Sequence, residues 1–159
     1  MTEKTYSEKM LTESIRLAIE DRATWFYLLL KAAEEEGIAE DKIAQNAITK
    51  YGKLKGENFN DVKTPGDFVT KLSGGNNTLA FDMEKVIAND NRGELIFRYC
   101  PLLESWKKLG CSDQELEDLC KMANYGDYGI LSCTEGLKMD FPKMMSKGDE
   151  YCHVVLTKK

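Results

Sequence analysis

The stretch Phe97–Cys111, FRYCPLLESWKKLGC, decides how this chain of 159 residues is read. It opens as the tail of ELIFRYC (Glu94–Cys100), a run of branched and aromatic residues that reads as a strand. Pro101 cannot donate to a sheet ladder but suits the first turn of a helix, so PLLESWKKLG reads as a short helix stopped by Gly110. The apolar period thus changes near Cys100. Alternation along the strand puts Leu95, Phe97 and Tyr99 on one face and Ile96, Arg98 and Cys100 on the other. A cysteine at such a junction either packs as a small hydrophobe or is presented to a cavity at a strand end.

Working outward, NDNRG (Asn89–Gly93) is rich in turn formers and precedes that strand. NNTLAFDMEKVIAND before it carries Leu79, Phe81 and Met83 and, after a slip, Val86 and Ala88, which predicts the first strand of a hairpin. After Gly110, SDQE (Ser112–Glu115) is a capping box that launches a helix through Leu116, Leu119, Cys120 and Ala123, extending toward Ile130. LKMDFPKMM and DEYCHVVLTKK read as two further strands joined by SKGD. In the last one Tyr151, His153 and Val155 share a face, and Cys152, Val154 and Leu156 share the other.

Upstream, apolar residues from Ser7 to Glu36 recur in steps of three and four, predicting one long helix with Gly37 as its left-handed cap. A second helix is expected over Glu40–Lys53. TPGD (Thr64–Asp67) has a capping hydroxyl, a proline and an acid at helix-start spacing. The expectation is therefore α+β: N-terminal helices, then an antiparallel sheet of about four strands with inserted helices packed on it. It forms one domain over 1–159, mainly helical over 1–74, with the sheet and all cysteines in 75–159.

Composition narrows the function. Hydrophobic residues make up 42% and charged residues 31%, as in globular proteins, and the net charge of −5 disfavours nucleic acid and anionic membranes. No run approaches bilayer length and MTEKTYSEKM has no secretory core, so a cytoplasmic protein is expected. Five cysteines without a secretion signal read as free thiols.

The candidate chemistry rests on few residues. Cys120 and Asp127, seven apart, return to nearly one face if the helix continues through Gly126; otherwise Cys120 is core and Asp127 a surface or capping acid. His153 is the only histidine, and neighbouring strand residues leave opposite faces, so only one of Cys152 and His153 should face Cys100. Zinc or iron held by Cys100, Cys120, Cys152 and His153 is chemically feasible, but no C-x-x-C spacing supports it, and no cofactor is expected. Arg98 can clamp a carboxylate with two parallel hydrogen bonds or stand in water at a sheet edge. Trp106 reads as core or cavity wall, and Cys111 and Cys133 as incidental thiols.

CPLLESWKKLG from Cys100, Leu119–Cys120, Gly126–Asp127 and KGDEYCHVVL from Lys147 together resemble the L-2-amino-thiazoline-4-carboxylic acid hydrolase-like family. The layout is also similar to 4-vinyl-reductase-type small-molecule-binding domains, which allows a ligand or metal sensor without catalysis and a homodimer. The first resemblance implies hydrolysis of a cyclic amidine-like thiazoline carboxylate, with Arg98 as clamp, Asp127 as base and His153 as acid. Cys100 or Cys120 is the alternative direct nucleophile, Trp106 and Cys152 lining the substrate. The implied partner is a small carboxylate.

Overall fold

The computed structural model describes residues 5–159, and it is α+β. Ser7 caps α1 (Glu8–Glu35), its hydroxyl accepting the Met10 N–H at 3.2 Å. The far end closes as the glycine predicts. Gly37 sits at φ +76°, its N–H donating to Glu34 at 2.9 Å while Ile38 N–H reaches Ala33 at 2.8 Å. The next helix, α2 (Glu40–Gly56), runs beyond the expected Lys53 and folds back along α1. Lys31 meets Glu40 at 3.1 Å at one end, and Arg22 reaches the Tyr51 hydroxyl at the other.

Thr64 and Asp67 form a capping box on α3 (Pro65–Leu72). Leu79 and Phe81, expected in a strand, instead belong to a short helix, α4 (Asn77–Phe81), which ends where Asp82 turns left-handed at φ 48°. The strands are β1 (Met83–Ala88) and β2 (Arg92–Phe97), and their pairing slips between Lys85 and Ile87, leaving Val86 as the bulge. Then come α5 (Pro101–Lys108), α6 (Asp113–Ala123), α7 (Tyr125–Leu131), β3 (Leu137–Lys143) and β4 (Cys152–Lys158). The sheet order is β1-β2-β4-β3, antiparallel throughout.

Two expectations at the decisive junction need correction. The β2 strand stops at Phe97, so Cys100 is not on a strand face with Arg98. It is the N-cap of α5, and its side chain packs with the helical core. The helix launched by Ser112 also breaks at Asn124, which divides α6 from α7 and separates Cys120 from Asp127.

Two cores result. Phe68, Val69, Leu95, Val154 and Leu156 bury one face of the sheet under α3. Ala23, Leu30, Leu103, Trp106 and Leu119 form the second, among helices. Trp106 is fully buried there, and its Nε1–H donates to the Ala23 carbonyl at 3.0 Å. Arg16 ties α1 to the sheet end, donating to Ala80 at 3.0 Å with its guanidinium 3.8 Å above the Tyr99 ring. Among the described residues no helix is long and apolar enough to cross a membrane.

Helices α2 and α7 meet backbone to backbone. A Cβ on Gly129 would stand 2.6 Å from the Thr49 carbonyl oxygen, and one on Gly52 would collide with the Gly126 carbonyl. Gly126 itself is less constrained, its Cβ meeting only Ile48 Cγ2 at 3.4 Å. Gly52→Ala and Gly129→Ala are each expected to cost about 2–4 kcal/mol, or roughly 6–12 °C in Tm. Gly126→Ala is expected to stay within about 1 kcal/mol of the parent protein. Thermal unfolding of the three variants checks this; equal losses at Gly126 and Gly129 would contradict the packing.

Candidate functional site

The rim of the sheet where β2 ends and β4 begins lies between the two cores. Phe97 pairs with Cys152 across that edge, and the chain then turns to Cys100 at the start of α5. The Cys120 side chain comes from α6 and Asp127 from the first turn of α7. The three thiols lie within electrostatic reach of one another, and Asp127 within reach of Cys152. A charge on Cys120 or Cys152 would disfavour the Cys100 thiolate, and Asp127 in turn disfavours that of Cys152. All three thiols and Asp127 are hemmed in by protein yet keep some contact with solvent, so the rim is neither solid core nor open surface. Two open clefts elsewhere, one walled by Asp61 and Lys71 and the other by Lys63 and Cys133, contain none of them.

Burial dominates the electrostatics. It pushes the Cys100 thiol up to about 12, although N–H groups of Leu102 and Leu103 at the helix start pull the other way. Cys120 rises to about 11 for the same reason, offset in part by Ser146 and by the charge of Lys107. Burial likewise raises Cys152, against a hydrogen bond of 3.3 Å donated by Met145 N–H. At pH 7 only roughly one Cys100 in 10⁵ is thiolate, so these are neutral thiols.

Asp127 is raised to about 7 by burial alone. Among the described residues it forms no ion pair, and no donor reaches its carboxyl. A second polar group shares this condition. Ser146 is 7% exposed, and its hydroxyl has no partner with hydrogen-bonding geometry, although it stands beside the Cys120 thiol and eases that thiol's ionisation. The turn that carries it is built by the Gly-Asp pair: Gly148 sits at φ +87°, and Asp149 accepts the Met144 N–H at 2.8 Å. Ser146 and Lys107 are the residues sequence reasoning missed. The only signal for Ser146 was the turn chemistry of SKGD; Lys107 had none.

The remaining candidates lie elsewhere. His153 is on the opposite face of the sheet from Cys152, its Nε2 2.8 Å from Glu94 Oε2. Burial would raise Glu94, but hydrogen bonds from Arg92 and His153 overcome it and hold the carboxyl below its ordinary range. Arg98 pairs with Glu84 at 2.5 Å on the exposed edge. Trp106 is structural, as described. A metal set of Cys100, Cys120, Cys152 and His153 is therefore not assembled, and among the described residues no group of three or more His, Cys, Asp or Glu is placed to hold a metal ion.

The family model for L-2-amino-thiazoline-4-carboxylic acid hydrolase matches residues 16–156, a range that includes Cys100, Cys120, Asp127 and Cys152. The chain belongs to that family. No curated protein matches it significantly. Among solved structures it is similar to a trafficking protein particle complex subunit 3 from Naegleria fowleri, covalently bound to palmitic acid. That likeness has a TM-score of 0.57 at 11% identity and covers 90% of this chain and 96% of the other. At such identity it is a likeness of fold.

The raised carboxyl has a consequence for stability. Between the ordinary aspartate value of 3.8 and about 7 the folded chain holds a proton at Asp127 that the unfolded chain has lost. Stability from this group is therefore greatest at low pH, falls as pH rises through that window, and is flat above it. Asp127→Asn removes the effect. It is expected to raise Tm at pH 8 and leave it nearly unchanged at pH 4, as read by calorimetry at both values; an equal change at the two would contradict the assignment.

Proposed function

We propose that this rim binds and hydrolyses a cyclic amidine carboxylate, with Asp127 as general base and neutral thiols beside it. The observations that carry this reading are the desolvated Asp127 carboxyl, which has no protein partner and acts on Cys152, and the buried, partnerless Ser146 hydroxyl beside Cys120. A buried hydroxyl or carboxyl without a partner costs free energy that a bound ligand can return. Membership of the family supports a thiazoline acid as substrate.

A carboxyl near 7 is poised for proton transfer at neutral pH. Ionised Asp127 takes a proton from water as the water oxygen bonds to the ring carbon between nitrogen and sulfur. The C=N electron pair moves onto nitrogen. When it returns, the C–S bond breaks, and the proton held by Asp127 passes to the departing sulfur. One water is added and a carbamoyl-cysteine leaves. Direct attack by Cys100 is the weaker mechanism, because forming its thiolate costs on the order of 4 kcal/mol more than for an ordinary thiol. Arg98 and Lys107 are both held in exposed ion pairs, with Glu84 and with Glu104 at 3.0 Å; only the charge of Lys107 reaches Cys120, so Lys107, released from Glu104, is the cation for the substrate carboxylate.

A second reading is favoured by the apolar company of the thiols, which includes Leu102, Leu119, Met122 and Met145. In this reading the rim binds an apolar ligand without turnover, as the fold relative that carries palmitic acid suggests.

Ring opening of 2-amino-thiazoline-4-carboxylate by the purified protein, followed chromatographically, separates the two. Hydrolysis predicts kcat/KM rising with pH through about 7, a loss of about 10²–10⁴-fold in Asp127→Asn, and a Cys100→Ser variant that keeps most activity. Turnover no faster than buffer, or an Asp127→Asn protein as active as its parent, would rule the hydrolytic reading out.

A further inference from the structure

Among the described residues, eleven of the fourteen exposed large hydrophobic side chains fall between Tyr6 and Leu54. They are not scattered. Met10, Leu17 and Leu28 on α1 are separated by seven and eleven residues, two and three helical turns, so they line up over about 27 Å. Trp25, 73% exposed, and Leu29 lie to one side of that line, the side that also carries Arg22. The hydrogen bond from Arg22 to Tyr51 sets the outer turn of α2, with exposed Leu54, beside its middle. The buried residues of α1, Ala23 and Leu30, point the opposite way into the helical core.

We propose that this face pairs with a second copy of the chain, α1 against α1, about a two-fold axis at the midpoint of the helix. Two observations choose this occupant. The first is size. Six side chains, each more than half exposed and each offering on the order of 100 Å² or more, give roughly 600–800 Å² per copy, close to a standard stable interface and above a typical monomer patch.

The second is charge. The midpoint of α1 falls between Asp21 and Arg22, both exposed. Among the described residues neither forms an ion pair, and Arg22 makes only the 3.5 Å hydrogen bond to Tyr51. An antiparallel two-fold at that point sets Asp21 of each copy against Arg22 of the other, and lays Leu17 between the other copy's Trp25 and Leu28. Such reciprocity is what a self-complementary interface requires. An anionic lipid surface fits worse, since an acid sits at the centre of the stripe and the chain carries −5 overall.

Sedimentation equilibrium on the full chain tests the pairing. The parent protein is expected at twice its chain mass. Trp25→Glu should run as a monomer with its helical circular dichroism retained. Asp21→Arg and Arg22→Asp should each weaken dimerisation about tenfold or more, and the double swap should restore it to within about threefold. A parent that is monomeric at about 100 μM, or a dimer indifferent to Trp25→Glu, overturns the proposal. A swap that fails to rescue overturns the two-fold geometry. A monomer whose Trp25 fluorescence shifts to the blue on phosphatidylcholine vesicles assigns the face to lipid instead.

Discussion

Most of what is distinctive here depends on the approach of α2 to α7. Gly52 and Gly129 let the two backbones meet at a separation no side chain would allow, the prospective Cβ of Gly129 lying 2.6 Å from a carbonyl oxygen. Interiors packed at crystal-like density transmit such constraints, so the position of α7 is dictated by α2 and not by its own short length. Asp127 follows directly after the glycine whose carbonyl faces Gly52. A carboxylate would not choose this location for its own hydration. It is held there because the helix it belongs to cannot move away.

That constraint explains a contrast between the two faces of the sheet. On the outer face, buried Glu94 is met by Arg92 and by His153, and every charge has a partner. A satisfied network of this kind fixes geometry and offers nothing to a ligand. On the inner rim, desolvation outweighs every favourable charge: two thiols rise to about 12 and 11 (the second despite Lys107), Asp127 rises to about 7, and the Ser146 hydroxyl is left without a partner. A buried hydroxyl without a partner and a desolvated carboxyl without a counter-charge are both costly, and their place beside solvent-touched thiols is the physical basis for proposing chemistry at this rim.

Features governed by local chemistry were legible in the sequence. The capping boxes at Thr64 and Ser112, the left-handed cap at Gly37 and the opposite faces of Cys152 and His153 depend only on near neighbours in the chain. Even the slip before Val86 showed as a break in alternation. Leu79 and Phe81 misled because a spacing of two fits a strand as well as one turn of helix, and nothing in the sequence marks Asp82 as left-handed. Cys100 misled for a related reason: alternation cannot say that β2 stops at Phe97, and three residues past that end the side chain is free to turn inward. Ser146 was invisible because its burial depends on how the 144–149 turn docks against α6, a tertiary fact. Arg98 was visible as a strand cation, but its commitment to Glu84 depends on the bulged neighbour strand.

The central claim is that a carboxyl without a partner is held half-dehydrated among neutral thiols. The most direct measurement is an NMR pH titration of protein labelled with aspartate side-chain ¹³C, with Asp127→Asn identifying the resonance. A midpoint near 7 that drops when an amidinium ligand is added is the predicted result. A midpoint at the ordinary aspartate value near 3.8, unmoved by such a ligand, would contradict the account.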